Sequence, residues 1–228
     1  MTDAIINTPL FALTLTCLAW SIGVWVQKKT GFLLCNPLVI ATALIIGILV
    51  LLQIPYSTYQ LGGDMISLML GPVTAVLALN IYNQRQLLGK YFIPVVVGCL
   101  VGCLTSIGSI TLLCKLLSVD TVISASLLPK SVTTAIALAI SESRGGIPGI
   151  TSAAVLIAGS VGAIFAPLFA KFFHITDPVA EGIAIGASSH ALGTTKALEI
   201  GELQGAMSSI SICICGIITS VLVLFLPG

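Results

Sequence analysis

Charged side chains are scarce in this sequence of 228 residues. Only 7% of the residues are charged, and nine basic against eight acidic residues leave a net charge of +1. A soluble domain carries roughly 25% charged residues. The scarcity argues against a soluble enzyme, a nucleic-acid-binding protein and a disordered chain, because each of these needs a charged, solvated surface. The sequence instead has 57% hydrophobic residues and a mean hydropathy of +1.15, which indicates an all-α polytopic membrane protein.

Motifs for metal binding and catalysis are also missing. The seven cysteines lie in or beside apolar runs, and none has the C-x-x-C spacing of a zinc or redox site. Cys99 and Cys103 are one helical turn apart, but no histidine or carboxylate accompanies them, so no metal or other cofactor is expected. The chain has no G-x-S-x-G, no H-E-x-x-H and no paired catalytic carboxylates. The sequence therefore does not suggest an enzyme.

Long apolar runs account for most of the chain, and at about 20 residues per crossing they predict six to eight membrane segments. The first runs from Pro9 to Val26 and ends at Gln27-Lys28-Lys29; Asp3 stands where a signal peptide would be basic, so this run is expected to stay as a spanning helix. The second starts at Asn36-Pro37 and ends near Ile54. The later clean spans are 91–117, 150–173 and 206–226, and they alternate with broken apolar stretches at 65–82, 121–143 and 179–202.

The distribution of basic residues predicts the orientation. Lys28, Lys29, Arg85 and Lys90 flank the early runs and are expected on the cytoplasmic side, which makes the polar, turn-rich loop at 56–63 external. We divide the chain into scaffold helices at 1–62 and a repeat-containing transport region at 63–228.

An internal repeat of about 60 residues is visible in the second half of the chain. A shift of sixty aligns Thr134, Ala137 and Glu142 with Thr194, Ala197 and Glu202, and it places Lys130 on His190. If each broken stretch is a re-entrant hairpin, successive repeats are inverted and two hairpin tips meet near the membrane midplane. If the stretches cross fully, the repeats are parallel, which the charge placement favours because Arg144 then stays cytoplasmic. The sequence leaves both arrangements open.

Two of the broken stretches hold the unusual chemistry. In 128–134 a proline precedes Lys130, which places a positive charge inside an apolar run; 188–196 carries His190 among hydroxyl residues. A helix that restarts after a break offers free N–H groups and the positive end of its dipole. We therefore predict a pocket for a small anion and favour a carboxylate. Its candidate residues are Lys130, Ser131, Thr133, Thr134, His190, Gly193, Thr194 and Thr195. The alternative is structural: Lys130 extends to the interface and the threonines bond to backbone carbonyls.

His190 is the one side chain in these stretches that changes charge near neutral pH, so it is a candidate for proton coupling, together with Lys196 and Glu199 and with Glu202 as another partner. In the alternative interpretation His190 is a neutral histidine bonded to the backbone, and Lys196 and Glu199 form an ion pair that holds a bend.

Several of these segments together resemble the LrgB/CidB family. They are Leu-Pro-Lys-Ser-Val-Thr-Thr (128–134), Gly-Gly-Ile-Pro (145–148), Ser-His-Ala-Leu-Gly-Thr-Thr-Lys-Ala (189–197), Asn36-Pro37 and 70–76. The resemblance covers nearly the whole chain. Ala135 and Thr195 depart from it, since family members often have proline and alanine there, and this puts the hairpin shape and the choice of substrate in question.

The resemblance implies a multi-pass protein of the bacterial inner membrane that pairs with a small LrgA/CidA-like membrane protein and forms homo- or hetero-oligomers. It also implies one of two functions. The first, which we take as the main expectation, is an alternating-access or elevator-like secondary transporter, in some cases proton-coupled, for a small monocarboxylate such as pyruvate, glycolate or glycerate. The second is a holin- or antiholin-like regulator of murein hydrolase activity and cell lysis.

Overall fold

The computed structural model describes residues 6–30 and 37–226, except the side chains at positions 73, 74, 77 and 80. Within these residues the fold is entirely helical, which confirms the predicted all-α polytopic membrane protein. The helices are α1 (Pro9–Thr30), α2 (Pro37–Leu51), α3 (Tyr56–Ser67), α4 (Leu70–Asn83), α5 (Arg85–Lys90), α6 (Phe92–Leu116), α7 (Thr121–Leu127), α8 (Thr134–Ser143), α9 (Pro148–Phe172), α10 (Pro178–Ile200) and α11 (Glu202–Leu224). Asp3 and Asn36, which the sequence singled out, lie outside the described residues.

Four of the described helices, α1, α6, α9 and α11, are long and apolar enough to cross a membrane. Three of them match the clean spans predicted at 91–117, 150–173 and 206–226 to within a few residues. The predicted end of α1 at Val26 is wrong, because the helix continues through both lysines to Thr30. The hydrocarbon excludes the ammonium group of a lysine side chain, but the backbone of that lysine can still form helical hydrogen bonds. Lys29 instead places its ammonium group 4.9 Å from the centre of the Trp25 ring.

The prediction of a loop at 56–63 is also wrong, since these residues form most of α3. Its glycines and polar residues have weak helix propensity, but tertiary packing overrides it. A Cβ at Gly62 would overlap the carbonyl of Pro9 and the side chain of Ala12, so only glycine allows α3 to approach α1 this closely. The Tyr59 and Thr16 hydroxyls complete the contact at 2.9 Å.

Packing divides the chain into two compact units, Met1–Val73 and Thr74–Gly228. In the first unit, α1 packs against α2 and α3. The roles assigned to 1–62 as a scaffold and 63–228 as a transport region stay a prediction.

In the second unit, α6 and α11 lie side by side and run in the same direction. The thiol of Cys99 donates to the carbonyl of Ser211, and one turn further along both helices Cys103 donates to the carbonyl of Cys215. Both thiols are buried in the main apolar core of this unit. The two helices provide a fixed pair against which the broken segments can be placed.

The first hairpin consists of α7, the irregular residues 128–133 and α8. Ser126 in α7 lies at the start of α9, where its hydroxyl accepts from the backbone N–H of Ile147 at 2.7 Å. Val132 lies in one apolar cluster with Val155, about 12 Å further along α9 than Ile147. Ser141 in α8 is back near the start of α9, bonded to Thr151 at 2.6 Å. The chain therefore enters the bundle and returns to the same end.

The second hairpin is α10, whose two arms, 178–189 and 191–200, meet at His190. The first arm runs in the same direction as α11, because Gly182 packs against Gln204 and, one turn further along both helices, Gly186 packs against Ser208. The second arm returns, because Thr194 bonds to Ser208 and Leu198 packs against Gly205. Gly193 also packs against Ile185, eight residues earlier, which a straight helix would hold about 12 Å away. The predicted break at 188–196 is thus a reversal of the chain.

The two hairpins enter from opposite ends of the second unit, which is the inverted arrangement. After α8, the Arg144 guanidinium donates to the carbonyl of Val223 at the C-terminal end of α11, whereas α10 ends at the N-terminal end of α11. The parallel arrangement that charge placement favoured is wrong. Arg144 donates to the carbonyls of Val223 and Leu226 at the C-terminal end of α11, and this local interaction outweighs the bias of basic residues toward one side. The order of hairpin followed by spanning helix occurs twice, as expected for the repeat.

Candidate functional site

The tips of the two hairpins meet in the middle of α9. The Nε2–H of His190 donates to the carbonyl of Val155 at 2.9 Å, and the side chain of Val155 packs against Val132 of the first hairpin. Two glycines of α9 allow the second tip to come this close, since a Cβ at Gly159 would overlap the His190 ring and one at Gly162 would overlap Ser189. The sequence motifs that carry Lys130 and His190 are therefore brought to one level of the bundle.

At the first tip, the Lys130 ammonium group lies among hydroxyls. Its Nζ is 3.2 Å from Ser131 Oγ and 3.4 Å from Ser106 Oγ of α6, and these two hydroxyls are 2.8 Å apart. Lys130 is half-buried, and no carboxylate of the described residues is paired with it. A cation inside a membrane protein normally has an anionic partner or reaches water. The site has an unmet preference for negative charge.

Thr133 lies three residues further along the same tip and adds to this preference. It occupies the N-cap position of α8 with extended backbone, but its hydroxyl makes no capping bond. That hydroxyl is buried and has no hydrogen-bond partner among the described residues. An unpaired buried hydroxyl costs roughly 1–3 kcal/mol, and the free N–H groups of α8 are next to it. An anion bound here would accept hydrogen bonds from both the Thr133 hydroxyl and these N–H groups.

His190 forms the second tip in a rarely occupied backbone conformation, with φ of 40° and ψ of −137°. Only 4% of the residue is exposed. Because a carbonyl oxygen can only accept, the bond to Val155 places a proton on Nε2. In the neutral ring Nδ1 is then an acceptor, which suits the structural alternative as well as a coupling role.

The remaining predicted ligands of the second hairpin do not share this position. The hydroxyl of Thr194 bonds to the carbonyl of His190 at 3.1 Å and to Ser208 Oγ at 2.7 Å, so it braces the hairpin. Gly193 is packed against Ser189 and Ile185. Thr195 is exposed and bonds only to the carbonyl of Ala191, in its own helix. Thr134 of the first hairpin is exposed as well.

The predicted proton-coupling residues are also separated. Lys196 and Glu199 form an ion pair of 2.7 Å with side-chain exposures of 28% and 59%. The pair lies in the last two turns of the second arm, away from the tip, and Glu202 begins α11. His190 contacts a backbone carbonyl rather than either carboxylate.

A small cavity lies beside the two tips. It has a volume of about 10 Å³, room for roughly one water molecule, and its lining includes Cys103, Ser106, Ser131, Ala187 and Thr219. Ser106 and Thr219 were missed by sequence reasoning because single hydroxyl residues in a clean span have no distinguishing pattern. The cavity is too small for a carboxylate, so the site is closed in this structure.

The fold and this site define a polytopic α-helical membrane protein in which the tips of two inverted re-entrant hairpins both contact the middle of one spanning helix. The model of the LrgB-like family matches residues 16–227, and the chain belongs to this family.

The curated relatives cover nearly the whole chain. The antiholin-like protein LrgB of Bacillus mycoides (strain KBAB4) is 38% identical over 222 residues, which is 96% of each chain. The proteins of the same name from Bacillus cereus (strain B4264) and Bacillus anthracis (strain CDC 684 / NRRL 3495) are similar to the same extent. No solved structure matches the chain.

Proposed function

We propose that this chain has an antiholin-like function and restrains cell lysis from the bacterial inner membrane. The observation that supports it is the 38% identity, over 96% of both chains, to proteins named antiholin-like. This similarity favours the regulatory function over the monocarboxylate carrier that we took as the main expectation. In this function the chain works with an LrgA-like membrane protein and limits the activity of murein hydrolases.

The experiment is to express the chain, with and without an LrgA-like partner, in cells in which autolysis can be triggered. We expect the turbidity of the culture to fall more slowly than in cells that carry the empty vector. Equal rates of lysis, with the protein shown to be inserted, would argue against the regulatory function.

A carrier for a small monocarboxylate is the second candidate, and the geometry of the first tip favours it. The Lys130 ammonium group has only hydroxyl partners, and Thr133 and the N-terminus of α8 offer further donors within the same few residues. A carboxylate can accept from a cation, hydroxyls and backbone N–H groups together, and such charge-assisted bonds are the strong ones. A self-associating regulator has no need of an unpaired cation in its interior.

Paired inverted hairpins are also suited to membrane transport. Inverted repeats whose broken helices meet at the midplane allow a site to face either side in turn, as one repeat moves against the other. The closed cavity of about 10 Å³ fits an occluded form in which ligand cannot enter until a hairpin shifts.

The first test of the carrier is uptake of labelled pyruvate and glycolate into proteoliposomes. We expect Lys130→Ala to abolish saturable uptake, because losing charge-assisted hydrogen bonds worth roughly 1.5–3 kcal/mol weakens binding about 10- to 100-fold. The matched control is Lys171→Ala, since Lys171 is an exposed lysine in the last turn of α9. Uptake by Lys130→Ala at the rate of the unmodified protein would contradict the assignment of the site.

The two candidates differ in what crosses the membrane. A holin-like pore releases solutes of unrelated size and charge, whereas a carrier moves small carboxylates alone and saturates. Release of a neutral dye from the same proteoliposomes separates them.

A further inference from the structure

A groove runs between α6 and the first arm of the second hairpin. Its volume is about 450 Å³, and its lining includes Tyr91, Pro94, Gly98, Asp177, Ile183 and Ala184. It lies toward the end of the unit where α6, α10 and α11 begin. Lys90 is next to this end, with its ammonium group 5.0 Å from the centre of the Tyr91 ring. The size falls within the range of small-molecule sites, roughly 300–1,000 Å³.

The groove leads along the same two helices toward the cavity at the hairpin tips. On α6, Gly98 lines the groove, while Cys103 and Ser106 line the cavity. On α10, Ile183 and Ala184 line the groove, while Ala187 lines the cavity. The two spaces are therefore about one helical turn apart.

One layer of side chains separates them. A Cβ at Gly98 would lie 2.8 Å from Cγ2 of Ile183, and a Cβ at Gly102 would lie 3.1 Å from Cβ of Ala187. On α6 this contact is formed by the backbone of the two glycines. On α10 it is formed by the side chain of Ile183 and the methyl group of Ala187. A small displacement of the first arm away from α6 would join the groove to the cavity, because no hydrogen bond or ion pair of the described residues holds this contact closed.

We infer that this groove is the access route for a small anion, and that Ile183 and Ala187, closed against Gly98 and Gly102, form the gate between it and Lys130. The identity of the ligand as a carboxylate rests on the carrier function proposed above. The existence of the gate does not rest on the carrier function, because the gate controls the access of any water-soluble molecule to the cavity. The structure is then the occluded form, in which the groove is open at the Lys90 end and the gate to the cavity is closed. The carboxylate that lines the groove, Asp177, accepts from the N–H groups of Val179 and Ala180 at the start of α10, so the case for an anion rests on the connection to the cavity beside Lys130.

The mostly apolar lining raises one competing occupant, a lipid acyl chain. The reagents of the test distinguish the two. Ala184→Cys places a thiol in the groove, where Ala184 is exposed, and the full chain in oriented vesicles is treated with an anionic methanethiosulfonate. We expect modification from the Lys90 side alone. Modification only by an apolar maleimide would mean that lipid fills the groove, and it would overturn the access route.

The gate is tested by the modification rate of the native Cys103, located by peptide mass spectrometry. Ile183→Ala removes most of the closing side chain, and we expect the rate to rise at least fivefold. Gly102→Ala would bring a methyl group to 3.1 Å from Cβ of Ala187 and so displaces the first arm from α6, and we expect the rate to rise here as well. Ile217→Ala, at an exposed position on α11, is the matched control and should leave the rate unchanged.

Cys99 separates gating from loss of structure, since unfolding would accelerate its modification together with that of Cys103. The buried Cys99 reports unfolding directly, because it does not line the cavity. If Cys103 responds to neither variant, the gate is wrong even when the protein transports pyruvate. If Cys103 responds as expected but no carboxylate is transported, the gate stands and the carrier function fails.

Discussion

At the residue scale, Lys130 and His190 occupy equivalent positions in the two hairpins and have different surroundings. Lys130 is half-buried among the hydroxyls of Ser106 and Ser131, whereas His190 is buried and bonded to the carbonyl of Val155. The first is suited to holding an anion that comes and goes. The second fixes its own tip to α9, and as a histidine it is the candidate of the pair for proton coupling.

We expect His190→Gln to retain uptake of the carboxylate but to lose its dependence on pH. The glutamine amide can still donate to the carbonyl of Val155, while it has no proton to exchange between about pH 5 and 8. The measurement is initial uptake at a series of external pH values, with the pH inside held constant. A pH profile that matches the unmodified protein would remove His190 from proton coupling.

At the element scale, each hairpin is fixed to the spanning helix that follows it by buried hydroxyls. Ser126 and Ser141 bond to the start of α9, and Thr194 bonds to Ser208 of α11. These bonds lie near the base or along the arms rather than between the two tips. The hairpins are therefore individually braced, and each tip contacts α9 separately: Val132 of the first lies in an apolar cluster with Val155, and His190 of the second bonds to the Val155 carbonyl.

Thr194→Val should destabilise the second hairpin by about 1–3 kcal/mol, because it removes a hydroxyl and leaves Ser208 Oγ buried without that partner. Thr195→Val is the matched control: Thr195 is exposed and bonds only within its own helix. Thermal unfolding in detergent gives the comparison. Equal midpoints for the two variants would mean that the bond to Ser208 does not brace the hairpin.

At the scale of the whole molecule, the inverted arrangement puts the chain before α6 and the chain after α8 at opposite ends of the second unit. We expect Gln86→Cys to react with a membrane-impermeant thiol reagent from the cytoplasmic side and Glu142→Cys from the external side. Both positions are exposed. The experiment uses intact cells and inverted vesicles, with the unmodified protein as the background for native cysteines. Reaction of both positions from one side would contradict the inverted arrangement.

Some features were predictable because they depend on local composition. The apolar runs of α6, α9 and α11 specify spanning helices, since a bilayer admits no other way to pair backbone groups along a single segment. The break at 128–133 was marked by Pro129 and Lys130, and the break at His190 by the polar residues around it. The helix at 56–67 was not predictable, because the contact of Gly62 with α1 outweighs weak local propensity.

The sequence by itself therefore determined that the protein lies in a lipid bilayer and which family it belongs to. It also determined the spanning helices and the two segments that carry charge inside the bundle. Only the tertiary structure decided that the repeats are inverted, that the tips meet on α9 and that Ser106 joins Lys130. It also separated Thr195 and Glu199 from the tips. The reason is physical: local preferences act over a turn or two of chain, whereas the direction and depth of a hairpin are set by contacts such as Gly162 with Ser189, between residues far apart in sequence.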